Sequence, residues 1–177
     1  MTAPETIAEQ ALTAADDAAI ATLLARCFKT NFGGRSFFQT RHSWRHVIRD
    51  QDRITAHLAV QLRAVRLGDQ LLTIAGIADV ATAPEARGKG HAATLLQAAL
   101  AEARQSPASH ALLFGTAALY PAAGFRKVAN PLTYLDLTGA WTGSLRRNEG
   151  SDHLQVLELS DRLWDDTLPL DLLGELF

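Results

Sequence analysis

The amino-acid sequence predicts a single α/β domain in which a mixed, mostly antiparallel sheet carries flanking helices. The chain has 177 residues, 47% of them apolar, which is enough to bury one sizeable core. Its patterns run in the order helix, turn-linked strands, strand–helix–strand unit and further strands. Turn-linked strands pair antiparallel, whereas a helical crossover makes neighbours parallel. No repeat, low-complexity tract or linker divides the sequence, so we expect residues 1–177 to form one domain.

The first half of the chain predicts one helix followed by three strands. Ile20, Leu23, Leu24 and Cys27 recur at helical spacing, which predicts a helix over residues 16–28. The next segment, NFGGRSFFQTRHS, predicts a loop or a short helix. Alternating and apolar runs then predict strands over residues 44–49, 54–65 and 71–80, with turns at 50–52 and 66–70.

The second half begins with the clearest helix in the sequence, residues 90–104. Its apolar residues share one face at helical spacing: Leu95, Leu96, Ala99, Leu100 and Ala103. A short buried strand at 111–114, a brief helix or turn containing Tyr120 and a strand from Phe125 follow. The segments LTYLDL and HLQVLEL predict closing strands around a polar loop at residues 142–151.

Charge and composition exclude several classes of protein. The net charge is −2, from 17 basic and 19 acidic residues, so no global positive field favours nucleic acid. The N-terminal segment lacks the basic and apolar regions of a secretory signal, and no apolar run is long enough to cross a membrane. Cys27 is the only cysteine, which excludes an internal disulfide and is typical of a reducing compartment. We therefore expect a cytoplasmic protein with no nucleic-acid or membrane partner.

The segment APEARGKGHAA, residues 83–93, lies between a predicted strand and the predicted helix at 90–104. Gly88 and Gly90 lack the Cβ atoms that would keep an anion from the backbone, and Arg87 and Lys89 add positive charge. The N–H groups at a helix N-terminus have no intrahelical partner, and the helix dipole is positive there. The loop therefore predicts an anion-binding site.

Three interpretations of this loop compete. A nucleoside-triphosphate P-loop requires four residues between its glycines and a following Lys-Ser/Thr, which the sequence lacks. The dinucleotide pattern G-x-G-x-x-G/A does match residues 88–93. However, residues 84–87 separate it from the strand, and no acidic residue ends the next strand. The remaining alternative is an exposed glycine loop without a ligand.

The segment DVATAPEARGKGHAATLL resembles the acetyl-CoA-binding motif of the GNAT superfamily of N-acyltransferases. A second segment, Tyr120 to Phe125 (YPAAGF), is similar to the Y-x-x-x-G-F motif of that family, and the resemblance covers residues 16–137. It implies that loop N–H groups bind the pyrophosphate of coenzyme A and that Val80 and Thr82 pair with its pantetheine arm. The implied pyrophosphate-binding residues are Arg87, Gly88, Lys89, Gly90, His91 and Ala92.

This resemblance implies a GNAT fold and transfer of an acetyl group from acetyl-CoA to a primary amine of a small molecule. Two other functions stay open. The acceptor could be a peptide or protein N-terminus, or the domain could be a sensor that binds acyl-CoA without turnover.

A finer resemblance, to aminoglycoside 2′-N-acetyltransferases, concerns the acceptor. In that family an acidic residue two positions before a terminal aromatic residue lines the sugar site, and Glu175 and Phe177 match this pattern. With Asp152, these residues form the predicted substrate-binding set for an amino sugar. The apolar segment LPLDLLGELF would alternatively cover a core edge or a homodimer interface.

Two residues are the predicted catalytic groups. Tyr120 is the candidate general acid, because the pKa of a phenol is close to that of the departing thiol. Asp79 is the candidate proton acceptor. The glutamate that the finer family places on this strand corresponds to Ala78 here, and strand alternation would direct Asp79 to the opposite face from Ala78. A packed tyrosine and a structural carboxylate are the respective alternatives.

We predict structural roles for other histidines and for the cysteine that could in principle take part in catalysis or metal binding. His42 and His46 are four residues apart but lack a third ligand, so we expect surface or groove residues and no metal. His57 lies inside an apolar strand, so we expect it to be a hydrogen-bonded core residue. Cys27 lies on the apolar face of the first helix, where we expect it to pack against the core.

Overall fold

The computed structural model describes residues 3–30 and 32–177. Met1 and Thr2, at the start of the N-terminal segment, and Asn31, in the segment after the first helix, lie outside the described residues. The chain divides into two compact units. The first comprises the described residues up to Gln61 together with Ala78–Ala101, and the second comprises Leu62–Ile77 and Glu102–Phe177.

The first unit is built from antiparallel strands, two helices and parts of two long strands. Strand β1 pairs antiparallel with β2, and β2 pairs antiparallel with the first part of β3, with a register shift between Ile48 and Arg49. Thr13 caps α1 by accepting a hydrogen bond from the Asp16 N–H at 3.1 Å. The elements are β1 (Glu5–Ala8), α1 (Ala14–Cys27), β2 (Trp44–Asp50), part of β3 (Arg53–Leu67), the end of β4 (Gln70–Thr82) and most of α2 (His91–Arg104).

The second unit holds the remaining parts of β3 and β4 and all later elements. Its strand order is β6-β9-β5-β4-β3-β10-β7-β8. Strand β4 pairs parallel with β5, and β10 pairs parallel with β7, whereas the pairs β5–β9, β6–β9, β3–β10 and β7–β8 are antiparallel. The elements are β5 (His110–Phe114), α3 (Leu119–Ala122), β6 (Arg126–Lys127), β7 (Leu132–Leu135), β8 (Leu145–Asn148), β9 (Leu154–Glu158) and β10 (Leu170–Asp171).

Each unit buries an apolar cluster of its own. The cluster of the first unit includes Ile20, Leu23 and Leu24 of α1, which confirms the predicted apolar face of that helix. The cluster of the second unit includes Leu112 of β5 and Trp164. The five residues of the predicted apolar face of α2 are also buried: Leu95, Leu96, Ala99, Leu100 and Ala103. Within the described residues, no helix has the length and apolar character needed to span a membrane.

The mixed, mostly antiparallel sheet with flanking helices confirms the predicted fold class. Three strands that sequence patterns did not predict are β1, β8 and β10. Strand β8 has four exposed residues in the segment predicted as a polar loop, and Leu145 is its single apolar residue, so no apolar alternation marks it. The two predicted closing strands have different neighbours, since β7 pairs with β8 and β10 while β9 pairs with β5 and β6.

Candidate active site

The loop that precedes α2 leaves β4 through a single 3₁₀ turn. The Ala83 N–H donates to the Thr55 carbonyl at 2.8 Å, which fixes the end of β4 against β3. Residues Pro84–Ala86 form the 3₁₀ turn, closed by a 2.8 Å bond from the Ala86 N–H to the Ala83 carbonyl. The Thr94 N–H then donates to the Gly90 carbonyl at 3.0 Å, so the helix begins immediately after the two glycines.

The start of α2 presents a run of backbone donors without partners. No described residue accepts a hydrogen bond from the N–H groups of residues 88–93. Gly88 and Gly90 have φ values of 76° and 78°, the left-handed region that glycine adopts without a Cβ penalty. A Cβ built on either glycine would meet no atom within 4 Å, so the space beside both is open. An anion therefore has free access to these donors.

The side chains near this loop are partly engaged within the first unit. Arg87 is exposed, and its Nε donates to the Thr82 carbonyl at 3.2 Å, while its terminal nitrogens make no bond to a described residue. The Cys27 thiol also donates to that carbonyl, at 3.4 Å. The carbonyl of Thr82 is therefore already bonded, whereas Lys89 is exposed and carries an unpaired charge among the described residues.

The backbone of β4 leaves regular strand geometry at Asp79, which has a φ of 49°. Strand alternation requires extended dihedrals at each residue, so it does not hold here. The burial pattern shows the interruption, since Ala78 and Ala81 are buried while Asp79 and Val80 between them are half-buried. Alternation therefore cannot be used to assign the side-chain direction of Asp79, and its opposition to Ala78 stays a prediction.

Two imidazoles contact Asp79. The Nε2 of His42 lies 3.2 Å from the Asp79 Oδ2, and these side chains are only 7% and 12% exposed. The Nδ1 of His57 lies 2.9 Å from the Asp79 carbonyl oxygen. Oδ2 is buried and accepts no hydrogen bond from a described residue, so the exposed part of the Asp79 side chain lies on its remaining atoms.

A buried arginine determines the protonation of His57. The Nη1 of Arg45 lies 3.4 Å from the His57 Nε2, and Arg45 is fully buried. Since a guanidinium only donates, Nε2 must accept and the ring proton must lie on Nδ1, from which it is donated to Asp79. Burial, reinforced by the charge of Arg45, lowers the pKa of His57 to about 3, so this imidazole is neutral at neutral pH.

Tyr120 lies in the second unit, on α3. It is 8% exposed, and its ring packs edge-on against Phe125 with centroids 6.2 Å apart. A Cβ on Gly115 would lie 2.8 Å from Tyr120 Cε2, so glycine at position 115 admits the ring. Burial raises the pKa of Tyr120, which keeps the phenol protonated at neutral pH. No described residue hydrogen-bonds its hydroxyl.

The predicted substrate-binding residues also lie in the second unit. Arg63 bonds the Glu175 carbonyl at 3.0 Å and lies 3.5 Å from its carboxylate, so the charge of Glu175 is offset. The Phe177 ring packs against Phe114 with centroids 5.4 Å apart. Asp152 is exposed in the turn before β9 and forms no ion pair with a described residue.

Residues 10–128 match a family profile described as an acetyltransferase (GNAT) domain, which is about two thirds of the chain. The chain belongs to the GNAT acetyltransferase family. No curated protein matches the sequence.

Solved structures show the same GNAT fold at low sequence identity. The GNAT N-acetyltransferase YhbS of Escherichia coli, in complex with CoA, has a TM-score of 0.67 and 20% identity, over 97% of this chain and 91% of its own. A GNAT acetyltransferase of Brucella melitensis, in complex with acetyl-CoA, has a TM-score of 0.61 and 16% identity, over 96% of each chain. The E. coli ribosomal-protein-S18-alanine N-acetyltransferase has a TM-score of 0.60 and 15% identity, over 92% of this chain and 99% of its own.

Sequence reasoning missed the role of one histidine in this GNAT domain. The sequence predicts His42 and His46 as surface or groove residues, but the side chain of His42 is 7% exposed and lies beside Asp79, and His46 is completely buried. The Nδ1 of His46 forms a 3.1 Å hydrogen bond with the Thr6 hydroxyl. Burial lowers the pKa of His46 to about 4. His57 is a hydrogen-bonded core residue, as predicted. Among the described residues, no group of three or more His, Cys, Asp or Glu side chains could hold a metal.

Proposed function

We propose that this GNAT domain transfers an acetyl group from acetyl-CoA to a primary amine of a small molecule. The observation that carries the proposal is the run of unpartnered N–H groups over residues 88–93, open to solvent at the start of α2. In a GNAT chain this is the segment that the family motif assigns to coenzyme A. Two of the structurally similar proteins were crystallised with CoA or acetyl-CoA, which supports the same ligand here.

The residues of the loop fit a pyrophosphate. Backbone N–H groups supply donors, the dipole of a 14-residue helix supplies positive potential, and Arg87 and Lys89 supply formal charge. The proposed binding set is therefore Arg87, Gly88, Lys89, Gly90, His91 and Ala92, with Val80 and Thr82 along the pantetheine arm. Because the Thr82 carbonyl is bonded to Arg87 and Cys27, its N–H is the group we assign to that arm.

When bound, acetyl-CoA supplies an acetyl group activated as a thioester, and the chain must supply a proton acceptor and a proton donor. We assign proton donation to Tyr120. Its phenol is protonated because burial raises its pKa, and no described residue engages its hydroxyl. A thiolate leaving group accepts a proton from a phenol with little mismatch of pKa.

We assign proton acceptance to Asp79. An amine attacks a thioester only as the neutral base, whereas most primary amines are ammonium ions at neutral pH. A carboxylate near the end of β4 can take the proton, directly or through water. Asp79 is suited to this because its Oδ2 faces His42 while part of the side chain stays accessible.

The amino-sugar class is the finer proposal for the acceptor. It is supported by the match of Glu175 and Phe177 to the aminoglycoside pattern, but Arg63 offsets the charge of Glu175. If Glu175 binds a polycationic substrate, Glu175→Gln should raise KM for an aminoglycoside and leave KM for a monoamine unchanged. A peptide N-terminus is the alternative acceptor, since one structurally similar protein is an S18-alanine N-acetyltransferase by its name.

The test is a screen of amines with acetyl-CoA, following release of the free thiol. The panel should contain monoamines, polyamines, aminoglycosides and short peptides with free N-termini. Thiol release that depends on one amine class, with acetylated product confirmed by mass spectrometry, supports the proposal. Tight acetyl-CoA binding by calorimetry without turnover of any amine would instead favour an acyl-CoA sensor.

A further inference from the structure

Asp79 is held at two separate atoms by two histidines from different parts of the first unit. His42, just before β2, faces the carboxylate Oδ2 at 3.2 Å. His57, within β3, faces the backbone carbonyl of the same residue at 2.9 Å. Both imidazoles are buried, and Asp79 itself has left-handed dihedrals that an ordinary strand would not impose. The surrounding residues therefore specify the conformation of one half-buried acidic residue.

The proton positions at both contacts follow from the partners. At His57, Arg45 can only donate to Nε2, so Nδ1 carries the proton and donates to the carbonyl oxygen. At His42, Nε2 and the Asp79 Oδ2 are 3.2 Å apart, which is an ion-pair distance, but the contact lacks hydrogen-bond geometry and Oδ2 accepts no hydrogen bond from a described residue. A proton on Nε2 places positive charge density beside the carboxylate, so we expect this tautomer next to ionised Asp79.

Arg45 is itself fixed by charge and by hydrogen bonds. Its Nε and Nη2 lie 2.7 Å and 3.1 Å from the two carboxylate oxygens of Glu9, and its Nη1 donates to the Ser36 carbonyl at 2.7 Å. The chain of contacts therefore runs from Glu9 through Arg45 and His57 to the backbone of Asp79. Because burial and the charge of Arg45 lower the pKa of His57 to about 3, the protonation of His57 does not change in the neutral range.

We propose that His42 and His57 are positioning residues for Asp79: His57 fixes its backbone by a hydrogen bond, and His42 holds Oδ2 by a close electrostatic contact, so that the accessible part of the carboxylate accepts the proton of the acceptor ammonium. This inference rests on the proposed acetyl transfer. In the step, one N–H bond of the ammonium breaks and one O–H bond forms on Asp79. The electron pair of the broken bond stays on nitrogen, which then attacks the thioester as a neutral amine.

Two titratable groups whose charge interacts with His42 are Glu9 and His57. Glu9 is ionised and bound to Arg45 and Arg41, and His57 is neutral. The charge of Glu9 is therefore balanced by arginines. Among the described residues, the carboxylate at ion-pair distance from His42 is that of Asp79.

The first test is independent of activity and uses ¹⁵N-labelled imidazoles observed by NMR at neutral pH. The inference expects a proton on Nε2 of His42 and on Nδ1 of His57 in the wild-type protein. Asp79→Gly suits the left-handed backbone and removes only the side chain. It should abolish the protected Nε2–H signal of His42 and keep the Nδ1–H signal of His57. A His42 ring protonated on Nδ1 alone in the wild-type protein would overturn the inference.

The second test is kinetic and uses an amine identified in the acetylation screen. His42→Ala should lower kcat/KM by about 10- to 100-fold at neutral pH. His42→Gln should retain most of the activity, because its amide N–H can replace Nε2–H. The loss in His42→Ala should shrink as the pH approaches the pKa of the substrate amine, where less ammonium remains to be deprotonated. His153→Ala removes an exposed imidazole and is the control.

The outcomes separate this inference from the proposed function. Equal losses in His42→Ala and His42→Gln that do not change with pH would assign His42 to structure and overturn the inference while acetyl transfer stands. If the wild-type protein acetylates no amine, the proposed function is overturned, and the proposed role of His42 and His57 in positioning a catalytic Asp79 is overturned with it. The NMR signals would then report only a structural contact.

Discussion

Arg45 and Glu9 face each other through two N–H···O contacts, 2.7 Å from Nε to Oε2 and 3.1 Å from Nη2 to Oε1. The guanidinium is fully buried, whereas the Glu9 side chain is 14% exposed. A bidentate pair of this kind satisfies a charge that would otherwise be costly to remove from water. The pair therefore holds the segment after β1 on strand β2, one contact away from His57.

Glu9→Gln should destabilise the fold, because it leaves the buried Arg45 without a counter-charge. We expect the free energy of unfolding to fall by about 2–4 kcal/mol in urea denaturation. Glu5→Gln is the matched control, since it removes the partner of a more exposed arginine, Arg49, and should cost less than about 1 kcal/mol. Equal losses in the two variants would mean that burial of Arg45 does not matter.

Acid should destabilise the protein, through carboxylates whose folded pKa lies below the unfolded value. Burial raises the pKa of Glu9, but hydrogen bonds from Arg45 and Arg41 outweigh this and lower it from 4.5. Such a group contributes stability above its unfolded pKa and loses that contribution as pH falls through its folded pKa. We expect stability to decline below about pH 4.5, and to decline less steeply in Glu9→Gln. A variant curve parallel to that of the wild-type protein would contradict this.

Gly90→Ala should weaken acetyl-CoA binding, since its Cβ would enter the open space beside the unpartnered N–H groups. We expect Kd to rise about tenfold or more, which corresponds to about 1.4 kcal/mol. Gly34→Ala is the control: Gly34 has a φ of 75° and equally open space, so both substitutions carry the same backbone strain. Calorimetry that finds the same affinity in both variants would reject the loop as the binding site.

Tyr120→Phe should lower kcat by about 100-fold or more while the Kd for acetyl-CoA stays unchanged. The substitution keeps the ring that packs against Phe125 and removes only the hydroxyl. Tyr134→Phe removes a hydroxyl from a half-buried ring of the second unit and is the control. A kcat within about threefold of wild type would assign Tyr120 to packing.

Phe177→Ala should lower stability, because its ring packs against Phe114 and covers Gly76, where a Cβ would lie 2.7 Å from it. We expect a loss of about 1–3 kcal/mol for a half-buried aromatic ring. Leu176→Ala removes a more exposed side chain and should cost less than about 1 kcal/mol. If Phe177 only lines a substrate site, its removal should raise KM and leave the melting temperature unchanged.

The sequence predicted the main helices and the long strands because their apolar residues repeat at the period of the element. Residues 90–104 are the clearest case, since all five residues of the predicted face are buried. Strand β8 could not be predicted in this way. Its residues are exposed, and its pairing with β7 depends on a register that no local pattern encodes.

The anion-binding loop of the candidate site could also be predicted from the sequence, because glycine spacing and charge are local properties. The contact between His42 and Asp79 could not be predicted from the sequence. His42 lies 37 positions earlier in the chain, and the path of the segment before β2 determines where its side chain lies. The positive φ of Asp79 was equally hidden, because a run of apolar residues around it predicts an uninterrupted strand. A non-glycine residue with that conformation is recognised only in the structure.

The left-handed backbone at Asp79 also bears on how a protein of this kind could change over generations. Glycine, asparagine and aspartate are the residues that adopt this conformation most readily. An aspartate codon becomes an asparagine or a glycine codon by one nucleotide change, and either product would leave the strand undisturbed. Under the proposed chemistry, one mutation at this position could turn an enzyme into a folded acyl-CoA binder.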